Sequence, residues 1–324
     1  MLPAGIWALW RVQTLTVEAL RRVLLRLVRW QRWMYSIVSW FGTFLHEVSH
    51  ASVLLLSGHG IREFRAGVEE GHVLPARIQR GPLGFLFFLA AALAPLFVPP
   101  ALVLGGAVLF LDRGLVPWSS SGPGLDATLG VGADFLLSFP RQLAWTFADL
   151  DLAQPSHALL LALALLGIPG SRPSHVKGSR FHGTKDEGDI AVLRSRIRRN
   201  PWPLLAFLGI LYGAYFPLTR WAPDAYWFPL EAVVAVALTG ILLALLGIAW
   251  WGLASVDGRV RPWAGWLGPA LFFAVEYALR QPWGTPGDGV ETPLWTVNAI
   301  ALGAWAAGSA TLRILLPRRE ARFG

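Results

Sequence analysis

His46-Glu47-Val48-Ser49-His50 is the stretch of this chain best suited to chemistry. On a helix, positions i and i+4 share one face, one turn apart. Two imidazole nitrogens at that spacing can reach one zinc ion, and the glutamate stands where it can take a proton from water held at the metal. Zinc draws the pKa of such a water towards neutrality and makes hydroxide available. His46 and His50 are therefore the expected metal ligands, Glu47 the expected general base and zinc the expected cofactor. The chain has only 7 His, so two of them at this spacing around a glutamate are hard to attribute to chance. A lone histidine on an apolar face is more often a packing residue; two with a carboxylate inside an apolar run are costly unless they bind something.

The elements that must position this group are apolar helices. Residues 33–57 carry no charge except Glu47, and 82–110, 201–219 and 292–312 carry none. Residues 227–256 hold only Glu231, and 263–279 only Glu276. Each is long enough, or nearly so, to cross a hydrocarbon core about 30 Å thick. Segment 131–170 has a short apolar run at 158–169, preceded by Asp149, Asp151 and His157, and is read as one further span. The expected fold is all-α: a polytopic transmembrane bundle of about seven spans with a basic amphipathic N-terminal helix. In residues 1–32, Leu20, Val23, Leu24 and Leu27 alternate with arginines at helical spacing. Such a helix lies on a membrane surface or packs against the rest of the chain. No secretory signal peptide is apparent.

Composition agrees. Apolar residues make up 54% and charged residues 15%, against about 25% charged in a soluble domain. Cysteine is absent, so any metal must be held by His, Asp or Glu. The net charge of +8 falls between apolar runs and at the C-terminus, where anchoring to anionic headgroups accounts for it; nucleic acid is not an expected partner. The organisation reads as an interfacial helix at 1–32, a zinc-site membrane core at 33–170, a basic cytoplasmic loop at 171–200 and a four-helix membrane region at 201–324. Loop 171–200, Arg259, Arg261 and the C-terminal Arg318, Arg319 and Arg322 alternate consistently with Lys/Arg-poor loops. In the front half, placing loop 58–81 inside leaves the Arg-rich N-terminus outside, and an extra span within 131–170 would reverse that choice.

Phe44-Leu45-His46-Glu47-Val48-Ser49-His50-Ala51, followed by Ser57-Gly58-His59-Gly60, resembles the first core helix of the site-2 protease family of membrane metalloproteases. Gly81-Pro82-Leu83-Gly84 is similar to the start of that family's second core helix, so the likeness covers residues 40–110. It implies zinc held by His46 and His50 and a catalytic base at Glu47. The family usually takes its third ligand from an aspartate in an Asn-Pro-x-Asp-Gly-like motif. This chain has none; its only asparagines are Asn200 and Asn298. Three groups then compete: Asp149, Asp151 and His157; His175, after a Pro-Ser turn as in some relatives; and His182, Asp186 and Asp189 in the basic loop. His175 is the preferred third metal ligand. His59 and His72 read as surface residues in preference to metal contacts, and Glu231 and Glu276 as a proton path or as partners of Arg220 and Arg280.

The expected activity is hydrolysis of peptide bonds in membrane-protein or peptide substrates, by a multi-pass protein of a bacterial or archaeal-type plasma membrane. Two readings compete with it: a transporter or channel in which the His/Glu cluster handles ions or protons, and a non-catalytic scaffold with a structural zinc. No internal repeat points to an inverted-repeat transporter. The sequence leaves the substrate and oligomeric state open.

Overall fold

The structure, a computed structural model, describes residues 2–30, 32–68, 71–77, 81–111, 125–171, 195, 197–260, 264–280 and 293–315. It opens with α1 (Leu2–Trp30) and α2 (Arg32–Leu56). The second matches the apolar run around the motif. Its end is written in glycine: Gly58 and Gly60 have φ of 74° and 64°, a left-handed conformation that side chains resist. The His59 N–H donates to the Leu54 carbonyl and the Gly58 N–H to the Leu55 carbonyl, the paired bonds that close a helix on a left-handed residue.

A hairpin follows, β1 (Ile61–Ala66) and β2 (Gly71–Pro75), antiparallel with an irregularity between Ile61 and Glu63. The all-α expectation needs this amendment: within the stretch 58–81, read as a basic loop, β1 and β2 fold back over α2. Then come α3 (Pro82–Leu111), α4 (Leu125–Ala148), α5 (Pro155–Gly167) and a 3-10 turn at Ile168–Ser171. The single element expected at 131–170 is thus two helices, broken at 149–154. The C-terminal region supplies α6 (Trp202–Trp221), α7 (Pro223–Val260), α8 (Ala264–Arg280) and α9 (Leu294–Leu315), close to the apolar runs there.

The long helix α7 organises the core, packing on α1, α3, α5 and α8. Gln13, Val17, Leu20 and Leu24 form the buried face of α1. Leu20 sits on Gly247 and Gln13 on Gly240; the equal steps make α1 and α7 parallel. The opposite face of α1 exposes Val12, Leu15 and Leu25. At the other end of the molecule, Asn298 donates to the carbonyls of Ala148 and Leu150 at 2.8 and 3.0 Å. Glu276 accepts the N–H of Leu152. The two C-terminal helices thereby satisfy backbone groups that the break between α4 and α5 leaves open.

Among the described residues, two helices are long and apolar enough to cross a membrane, over Leu83–Leu111 and Glu231–Ser255. Shorter apolar helices cover Pro155–Gly167, Trp202–Ala214 and Leu267–Leu279.

Candidate metal centre

The helical spacing of the motif brings its two histidines together. The Nε2 atoms of His46 and His50 lie 3.1 Å apart, with ring centroids at 4.8 Å and planes at 79°. Two nitrogens bound to one tetrahedral zinc at 2.0–2.1 Å would be about 3.3 Å apart. The pair is therefore close to a chelating geometry.

The other nitrogen of His50 fixes which form of the ring is present. Its Nδ1 lies 2.8 Å from the Ala91 carbonyl oxygen in α3. A carbonyl only accepts, so Nδ1 carries a proton, and Nε2 is the nitrogen that faces His46. Metal-binding histidines are held in this way, by a bond from the nitrogen that does not meet the metal. Sequence reading offered no route to Ala91, which is one alanine among many in an apolar run.

Glu47 and His46 are both buried, and Ser49 between the histidines donates to the Leu45 carbonyl at 2.6 Å within its own helix. The hairpin covers Glu47. Ser39 of α2 donates to the Val68 carbonyl at the hairpin tip, and Phe44 meets Phe64 of β1 edge-on at 6.1 Å. Gly71 reaches Glu47 itself, a contact with no forewarning in the sequence.

On the same face of α2, Thr43 lies one turn before Glu47. Its Oγ1 and the Nε of Arg21 are buried without a partner among the described residues. Both residues line a cavity of about 20 Å³, together with Tyr35, Ser39, Gly42 and Pro169. That is room for a single water molecule.

The remaining histidines and acids are spread through the fold. His59 is buried under α3, its Nδ1 2.7 Å from Ser57 Oγ and its ring edge-on to Phe87; it is no surface residue. His72 pairs with Glu63 across the hairpin at 3.0 Å. At the break between α4 and α5, the Asp151 N–H donates to His157 Nδ1 at 2.9 Å. The Asp151 carboxylate accepts from the Ala153 N–H and from Gln154 Nε2, both at 3.1 Å. Those contacts close the turn that leads into α5, whose N-cap residue, Gln154, makes no side-chain capping bond. Gly167, at the far end of α5, meets Leu45, and Leu160 meets Gly106 of α3, so α5 runs parallel to α2. His157 therefore stands about 15 Å along the axis from the level of the motif, at 1.5 Å per residue.

Among the described residues, no group of three or more His, Cys, Asp or Glu is gathered around one point. His175, His182, Asp186 and Asp189 lie outside the described residues. Compared with known proteins, the chain matches no family model, no curated protein and no solved structure.

Proposed function

We propose that the chain is a membrane-embedded zinc metalloprotease in which His46 and His50 hold the metal and Glu47 is the general base. The observation that carries this reading is the paired Nε2 atoms 3.1 Å apart, with His50 Nδ1 committed to the Ala91 carbonyl. When bound, zinc supplies Lewis acidity and a lowered pKa for water. Glu47 takes the proton of the attacking water and passes it to the leaving amine. Its burial under the hairpin keeps bulk solvent away and strengthens its electrostatic effect.

For the third ligand we propose His175. Pro169, in the 3-10 turn, packs beside Gly42 and Thr43, one turn before His46. From Ser171, four residues of chain span at most about 14 Å, enough to return to the motif.

We place the helices in a bilayer as about seven spans. The two long apolar helices support this, and so does the outer surface. Leu56 is 90% exposed, Leu109 79%, Ile210 70% and Ile314 80%. A water-soluble monomer rarely exposes apolar surface on that scale; lipid would cover it. The N-terminal helix, read from the sequence as interfacial, runs parallel to α7 with Gln13 on Gly240 and Leu20 on Gly247, so it would lie along that span rather than on the membrane surface, with Arg22 on its outward face. A membrane substrate has its backbone bonds satisfied within its own helix and must be locally unwound before it is cut.

The test is cleavage of membrane-peptide reporters by purified protein in detergent or vesicles. Glu47→Gln should retain zinc and lose cleavage; cleavage at the wild-type rate in Glu47→Gln would refute the assignment of the base. Ion or proton flux that persists in Glu47→Gln, with no cleavage by wild type, would favour transport.

A further inference from the structure

We infer that Pro95 is a positioning residue for the metal centre: it keeps the Ala91 carbonyl free to hold His50 with its Nδ1 protonated. The inference rests on the reading of His50 as a metal ligand.

In an α-helix the carbonyl of residue i accepts the N–H of residue i+4. For Ala91 in α3 that residue is Pro95, which has no N–H. The proline ring also crowds the carbonyl four residues back and tilts it away from the axis. Ala91 therefore presents an oxygen that its own helix cannot satisfy. In a dry or lipid environment such a group must find a donor elsewhere. It finds His50 Nδ1 at 2.8 Å.

The same helix repeats the arrangement. Four residues after Leu96 comes Pro100, and the Leu96 carbonyl accepts Gln13 Nε2 at 2.7 Å. Two prolines thus free two carbonyls, and each takes a side-chain donor from another helix. Pro99 provides a contrast: the carbonyl that it would leave open belongs to Pro95, and neither His50 nor Gln13 uses it.

Restoring the N–H should have opposite effects on stability and on metal binding. Pro95→Ala gives Ala91 a helical partner and removes the ring clash, so unfolding should shift to a higher temperature. It also makes His50 share the carbonyl. A carbonyl has two lone pairs, so the bond weakens rather than vanishes. Zinc affinity should fall by about tenfold, the low end of the 10- to 100-fold loss seen when an outer-shell partner of a ligand is removed.

The experiment measures zinc affinity, unfolding temperature and histidine ¹⁵N spectra of the zinc-free protein, for wild type, Pro95→Ala and Pro99→Ala. His50 is assigned with a His50→Gln variant. In wild type, His50 should carry its proton on Nδ1; in Pro95→Ala the proton should move towards Nε2 and affinity should drop. Pro99→Ala should leave both unchanged. An unaltered His50 tautomer in Pro95→Ala overturns the inference, as does an equal loss of affinity in Pro99→Ala. If wild type binds no zinc, the metal reading fails, and the tautomer measurement still decides the role of Pro95. Pro95→Leu supplies the same N–H if the alanine variant is poorly expressed.

Discussion

Gly71, the first residue of β2, lies directly on Glu47: a Cβ at position 71 would stand 2.7 Å from both Cγ and Oε1 of Glu47. It would also stand 2.8 Å from Cγ2 of Thr43. The φ of Gly71 is not among the positive values, so the demand for glycine here is one of space. The backbone of the hairpin forms a wall against the Glu47 side chain.

Gly71→Ala should therefore push Glu47 or the hairpin out of place while leaving both histidines alone. Displacements of about 1 Å at a catalytic group cost on the order of 100-fold in rate. We expect a fall in kcat of about 10- to 100-fold with zinc content unchanged. Kinetics and metal analysis of one preparation check this, and wild-type kcat in Gly71→Ala would show that the hairpin is not the wall described.

Gln13 offers a test of the proline arrangement that is independent of any metal. It is fully buried and donates to the Leu96 carbonyl left open by Pro100. Gln13→Leu strands that carbonyl and should cost about 1–3 kcal/mol of stability. Adding Pro100→Ala gives Leu96 a helical partner and should recover part of the loss. Denaturant unfolding of the two single variants and the double variant measures the coupling, and strict additivity would contradict the account.

Two glycines in helices should behave oppositely. A Cβ at Gly268 of α8 would run into the indole of Trp305, which is fully buried and packs edge-on to Trp250 at 4.8 Å. Gly268→Ala should destabilise by about 1–3 kcal/mol through overpacking. Gly209 of α6 has nothing within 4 Å of an added Cβ, and Gly209→Ala should stabilise by about 0.5–1 kcal/mol. Thermal unfolding distinguishes them; equal shifts of the same sign would refute the packing described for α8 and α9.

The motif helix and the one that follows it were legible in the sequence because runs almost free of charge mark them: residues 33–57 became Arg32–Leu56, and 82–110 became Pro82–Leu111, whereas the two helices within 125–167 were read as one span. The pairing of His46 with His50 follows from helical periodicity alone. The hairpin did not show, because Arg62, Glu63 and Arg65 give β1 the charge of a solvated loop, and short strands declare themselves through partners more than through composition. Asp151 and His157 looked like ligands in sequence and are bound up in the turn before α5, a contact set by three-dimensional closeness over a few residues. The holding of His50 by Ala91 could not be read either, since it depends on which helix lies against α2. Pro95 was visible in the sequence, but its consequence required knowing what faces Ala91.

The central claim is that His46 and His50 form a metal site, and metal analysis of the purified protein tests it most directly. Wild type should hold about one zinc per chain, as a single three-ligand site requires. His46→Ala should lose the metal, while Glu47→Gln keeps it. Wild-type protein that stays metal-free after incubation with zinc, or a His46→Ala variant that binds as tightly as wild type, would contradict the account.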